Sequence, residues 1–246
     1  MTQTIVRSKI YIEKIDIGDG FMKGKLIVIE GTDCSGKETQ SKLLIEKIKE
    51  SGKRVERYSF PNYNSPTGKI VGGPYLGKDY ICDGWFPEGA TNVDPKVASL
   101  YYAADRKYNI DKITYLLDHG VNIILDRYIY SNMAHQGCKY STKEERIEMY
   151  KWLEELEFNL LELPKPEIKI FLHMPEEVSQ ILKKGREEKL DLHERDKEYL
   201  KRAETSYVEL ADLYDFKTIE CASDDQPRLI EDISKDVCDY VLAKLG

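Results

Sequence analysis

The chain has 246 residues, 41 % hydrophobic and 33 % charged, with a formal net charge of -7. An acidic surplus excludes general nucleic-acid binding, which rests on neutralising many phosphates, but leaves room for one nucleotide held by a local basic cluster. No apolar run approaches the roughly 20 residues of a membrane span, and the five scattered cysteines (Cys34, Cys82, Cys138, Cys221, Cys238) form no C-x-x-C pair, so a reduced, cytoplasmic protein is expected.

Residues 1–21 alternate charge with isoleucine and add little apolar pattern. They are expected to form an N-terminal arm, either disordered, an added strand, or a non-native start with Met22 as the initiator, ahead of one domain over 22–246. Five short apolar runs then predict strands at Leu26–Ile29, Val55–Phe60, Val121–Leu125, Ile168–Leu172 and Phe216–Cys221. Helical spacing fills 36–50, 96–119, 142–162, 195–213 and 226–244. The alternation implies an α/β fold: a doubly wound, five-stranded parallel sheet flanked by helices, with ligands beyond the carboxyl ends of the strands. Two stretches interrupt it. Residues 61–95 are rich in Gly, Pro, Asn and Tyr and too long for an ordinary connection; their part 75–93 reads equally as a pocket cover or an exposed insertion. Residues 183–198 are almost wholly charged, which by itself reads as a solvated helix face.

The first strand runs straight into Gly31-Thr32-Asp33-Cys34-Ser35-Gly36-Lys37-Glu38-Thr39, followed by a helix. A strand, a glycine-bearing loop and a helix in this order form a phosphate-binding loop. Its amides and the helix N-terminus would wrap the β-phosphate, and Lys37 would bridge the β- and γ-phosphates of ATP. The residue after the lysine departs from the motif. Glu38 replaces the hydroxyl that helps hold Mg²⁺, so the metal is expected to be held by ATP, water and Asp126, with the Thr39 hydroxyl near the α-phosphate.

Three further stretches narrow the acceptor. Strand two ends in Phe60-Pro61-Asn62-Tyr63; Tyr102 and Arg106 lie four apart on one helix face, which suits stacking on a base and bonding to its edge. Strand three ends in Asp126-Arg127-Tyr128, with Asn132, His135 and Gln136 following. No N-K-x-D element for guanine is present.

Together GTDCSGK, FPNY, LYYAADR, DRYIYSNMAHQG and SYVELA resemble the thymidylate kinase family, in family order and over about 22–246. The resemblance implies a P-loop kinase with a short lid at about 183–198, phosphoryl transfer from ATP to dTMP with Mg²⁺, and a homodimer through the helix from Val97 to Leu117. It implies that Asp33 positions the acceptor sugar and phosphate, and that Phe60, Pro61 and Tyr63 line the acceptor pocket. Tyr102 would stack on thymine, Arg106 reach a thymine carbonyl, and Arg127 grip the dTMP phosphate. Asn132 and Gln136 would read the base or close the pocket, and Tyr207 would lie near the sugar. His135 stands where relatives often have Tyr or Phe. Some relatives carry a basic residue in the phosphate loop; here that slot is the neutral Cys34, which assigns the transferring phosphoryl group to a lid arginine, Arg195 first and Arg186 second, with Lys183 and Lys184 also in reach. Two other readings remain open at this point. One is a deoxynucleoside or other nucleotide kinase of the same fold, and the other a weakly catalytic nucleotide-binding protein.

Overall fold

The computed structural model describes residues 22–32, 34–183 and 196–246. The strands are β1 (Leu26–Gly31), β2 (Val55–Ser59), β3 (Asn122–Asp126), β4 (Ile168–His173) and β5 (Lys217–Glu220). They form one sheet in the order β2-β3-β1-β4-β5, and every pairing is parallel. β1 and β3 are buried along their whole length, as near-continuous apolar strands covered on both faces should be.

The helices are α1 (Lys37–Glu50), the short α2 (Pro66–Ile70), α3 (Pro95–Asp118), α4 (Ile129–Gly137), α5 (Lys143–Glu154), α6 (Glu176–Lys183), α7 (Lys197–Leu213) and α8 (Ile230–Leu245). α1 and α8 cover one face of the sheet over Ile27, Ile29, Ile124 and Ile170; α3, α4, α5 and α7 cover the other over Val28, Ile123, Leu125 and Phe171. The predicted strands and long helices are present within a few residues.

The departures are local. The predicted helix 142–162 is α5 up to Glu154, then a π-helical turn over Glu155–Leu160. The predicted helix 226–244 begins at Ile230, because Ala222–Ser223 and Gln226–Pro227 form a small antiparallel ribbon. Asp224 and Asp225, both with positive φ, make its tight turn. Helix α4 was absent from the predicted elements. The insertion 61–95 is ordered: α2 continues through a π-helical turn over Val71–Tyr75, and Tyr75, Leu76, Ala90 and Val93 form a satellite core with Ala98 of α3. Its outer part leaves Tyr80 and Trp85 exposed. The arm 1–21, Asp33 and most of the predicted lid, with Lys184, Arg186 and Arg195, lie outside the described residues. At the lid's far end, the Asp196 carboxylate caps α7 by accepting from Tyr199 N–H.

Candidate active site at the carboxyl edge of the sheet

The phosphate loop leaves β1 between two strands and closes at once into α1. Gly31 has no room for a side chain: a Cβ there would stand 2.5 Å from the Leu172 carbonyl oxygen and 2.6 Å from Ser35 Oγ. Gly36, with φ 80°, caps α1 from the left-handed region, and Cys34 lies there too at 62°. Left-handed residues within a tight loop turn successive N–H groups toward a common point, and the α1 N-terminus adds positive potential. Lys37 is buried, its ammonium donating to the carbonyls of Gly31 (3.0 Å) and Thr32 (2.6 Å). Thr32 Oγ1 donates to the Met174 carbonyl at 2.7 Å and fastens the loop to the end of β4. Ser35 is buried in the loop, whereas Glu38 and Thr39 are exposed, with Glu38 paired to Lys42 at 2.6 Å.

Next to the loop, β3 ends in Asp126 and Arg127. The Asp126 carboxylate accepts from Arg57 of β2 at 2.5 Å. Arg127 has φ 67°, a conformation that costs a residue with a Cβ about 1 kcal/mol or more and is characteristic of functional sites. That backbone swings its guanidinium back over β1. Nη1 lies 3.1 Å from Tyr207 Oη, 3.3 Å from Ser131 Oγ and 3.4 Å from the Gly31 carbonyl of the phosphate loop. Tyr207 in turn donates to Ser131 Oγ at 2.8 Å and stacks on Phe171 at 5.7 Å. Tyr207 thus braces Arg127.

Underneath sits Glu30, the last side chain of β1 before the loop, 1 % exposed. Its carboxylate accepts from the N–H groups of Tyr128 (2.8 Å) and Ser131 (3.2 Å) and from Ser131 Oγ, capping the first turn of α4. Burial raises its pKa above the usual carboxylate range.

The residues expected to face the acceptor are built on α3. The buried Asp105 carboxylate accepts from Asn62 N–H and from the hydroxyls of Ser65 and Thr67, each at 2.8–2.9 Å, pinning the loop that carries Phe60, Pro61 and Tyr63. One turn earlier, Tyr102 meets the buried Tyr75 edge-on at 5.7 Å, and Tyr75 donates to the Ala90 carbonyl at 3.0 Å. The insertion therefore backs the predicted stacking residue. Arg106 is 2 % exposed and held bidentately by Glu157, itself 0 % exposed: Nη2 donates to Oε1 at 2.5 Å and Nε donates to Oε2. Asn132 of α4 donates from Nδ2 to the same Glu157 Oε1 at 3.3 Å. Its Oδ1, and both Nε2 and Oε1 of the fully buried Gln136, have no hydrogen-bond partner among the described residues. His135 stacks on Tyr199 at 5.8 Å, with Nδ1 3.3 Å from its hydroxyl, and packs edge-on against Tyr207 at 5.8 Å.

The structure thus brings together Lys37, Arg127 and Tyr207 at the loop, and Arg106, Asn132, Gln136 and Tyr102 on α3 and α4. Sequence reasoning missed Glu30, Arg57, Tyr75, Asp105 and Glu157. Glu30 had a signal, an acid ending an apolar strand; Glu157 had none in a charged stretch.

A parallel sheet with β1 flanked by β3 and β4, ending in a glycine loop with a buried lysine, defines a P-loop kinase. The thymidylate kinase family model matches residues 29–233. Over 220 residues the chain is 27 % identical to thymidylate kinase of Schizosaccharomyces pombe, covering 89 % of this chain and 92 % of that protein. It is 30 % identical to a probable thymidylate kinase of Pyrococcus horikoshii, over 91 % of this chain and 98 % of that one. A solved thymidylate kinase from Candida albicans shares the fold, with a TM-score of 0.68 at 23 % identity over 90 % of this chain and 92 % of the other. This chain belongs to the thymidylate kinase family, and it is a nucleoside monophosphate kinase.

Proposed function

We propose that the chain transfers the γ-phosphoryl group of ATP to dTMP, giving ADP and dTDP. The observation that carries the acceptor is a group of buried amide atoms without a partner among the described residues: Asn132 Oδ1, whose amide is bonded to Glu157 of the Arg106–Glu157 pair, and Gln136 Nε2 and Oε1 one turn on in α4. A buried polar atom without a partner costs about 1–3 kcal/mol, and a pyrimidine edge with alternating donors and acceptors would supply the partners. Lys37, which rests on loop carbonyls, would exchange them for the β- and γ-phosphates of ATP. Arg127, which reaches the Gly31 carbonyl of the phosphate loop and the Tyr207 hydroxyl, would use its guanidinium to hold the dTMP phosphate in line. Tyr102 would stack on the base, with Phe60, Pro61 and Tyr63 on the wall, while Asp33 and a lid arginine, Arg195 or Arg186, would complete the acceptor and transferring sites.

Magnesium would arrive with ATP. Glu38 is exposed and turned to Lys42, and Asp126 keeps one carboxylate oxygen beyond its bond to Arg57, which suits contact through water. Bound there, the ion would supply positive charge that offsets the negative charge developing on the transferring group. Val97, Leu100 and Tyr108, exposed at helical spacing on α3, would pair with the same stripe of a second copy in a homodimer. The test is a coupled assay over dTMP, dUMP, thymidine and AMP with Mg·ATP. Turnover of dTMP, slower turnover of dUMP and none of thymidine is expected; phosphorylation of thymidine alone would overturn the reading.

A further inference from the structure

The geometry points to Glu157 as the positioning residue that makes this site selective for pyrimidines carrying a proton on N3, by fixing which way the Asn132 amide faces. It rests on reading the pocket as one for a thymine base. Asparagine can turn its amide over, so as a reader of base edges it is ambiguous until something dictates its orientation. Here two acceptors do. Nδ2 of Asn132 lies between Glu157 Oε1 at 3.3 Å and the Ser99 carbonyl at 3.4 Å. Turning the amide would set Oδ1 against two oxygens. The carboxylate accepts from Arg106 through its other lobe as well, so Arg106 cannot swing away and Glu157 cannot turn.

The consequence is a fixed polarity. Asn132 offers only an acceptor, the buried Oδ1 that has no partner among the described residues, while Arg106 offers only donors. Thymine and uracil present an N3–H donor beside the O4 acceptor, which matches both. Cytosine presents an N3 lone pair beside an N4 amino group, which opposes both. Gln136, one turn on, does not supply this discrimination, because neither of its amide atoms is held by any described residue, which leaves it able to turn to suit either base. Glu157 reaches the site from the π-helical turn Glu155–Leu160, a device that re-aims a single side chain and often marks functional positions.

Glu157→Gln is the decisive variant, since its own amide can turn and release Asn132 to do the same. Preference is read as the ratio of kcat/KM for dTMP over dCMP. Wild type should prefer dTMP and dUMP over dCMP by about a hundredfold or more, and bind dTMP methylated at N3 comparably weakly. In Glu157→Gln the dTMP-over-dCMP ratio should fall about tenfold or more, while the dTMP-over-dUMP ratio, set by the 5-methyl group, stays as it was. A purely structural role would lower kcat/KM for all three nucleotides by one factor; a dTMP-over-dCMP ratio within about threefold of wild type would sink the inference. Should the variant not fold, the wild-type comparison decides: dCMP or N3-methylated dTMP accepted within a few-fold of dUMP overturns a fixed polarity. Wild type that turns over neither dTMP nor dUMP refutes the proposed acceptor itself, a different failure.

Discussion

The two halves of the site are built in opposite ways. At the phosphate loop much of the contact is local: Lys37 donates to oxygens two, five and six positions away, the loop fits because of two glycines, and Thr32 Oγ1 on the Met174 carbonyl and Arg127 on the Gly31 carbonyl are its long-range ties. At the half proposed to read the base, the groups come from α3, α4 and the π turn after α5, joined by one buried carboxylate and leaving amide atoms without a partner among the described residues. A phosphate is recognised by backbone that any loop can bend into place, whereas a base edge needs side chains of set polarity in a dry site. Among the described residues, Lys37 of the first half rests on loop oxygens, while the second half holds buried amide atoms without a partner.

That contrast yields predictions in order of size. Lys37→Ala should cut kcat by on the order of 10³-fold or more, with KM for dTMP little changed, because the charge follows the transferring group. Steady-state kinetics with folding checked by circular dichroism would measure it. Arg127→Ala should lower kcat/KM for dTMP by roughly 10²–10³-fold and leave KM for ATP near wild type; equal damage to both substrates would break the division into halves. Glu157→Ala strands a buried guanidinium and should cost about 3–5 kcal/mol of stability by urea unfolding, whereas Glu38→Ala, at an exposed pair of the donor half, should cost less than about 1 kcal/mol.

Gln136→Leu sharpens the comparison further. It removes two buried atoms without a partner among the described residues, so the ligand-free protein should gain about 1–3 kcal/mol, seen as a raised Tm, while kcat/KM for dTMP falls about tenfold. A drop in both would mean the amide has a structural partner. The smallest effect concerns pH. His173 at the end of β4 bonds Glu204 of α7 at 3.0 Å and Glu220 of β5 at 2.9 Å, and these bonds, Glu204's first, raise its pKa above 6.5. A raised folded pKa stabilises the protein fully below the unfolded value and loses that contribution as pH rises through the folded one. The Tm difference between wild type and His173→Gln should therefore be largest near pH 6 and shrink toward pH 9.

Much of the frame was legible from residue order. Strand ends fell within a few residues because VNIIL and IKIFL are buried on both faces, and such runs have one stable place. The phosphate loop was legible because its chemistry is contiguous. Helix α4 was not, because most of its side chains are buried polar and apolar groups alike, leaving no amphipathic stripe to read. The insertion 61–95 was legible only as a disruption; its helical turn depends on Tyr75 finding Tyr102 and Ala90.

The sequence alone determined the parallel sheet, the loop at Gly31–Thr39 and the carboxyl edge where ligands go, since propensity, periodicity and local motif carry each of them. Only the tertiary structure decided that Glu157, 51 residues from Arg106 and 25 from Asn132, holds both, and that Glu30 reaches 98 residues along the chain to cap α4. Buried carboxylates choose partners by proximity after the core has closed, and in the linear chain they look like any other acid.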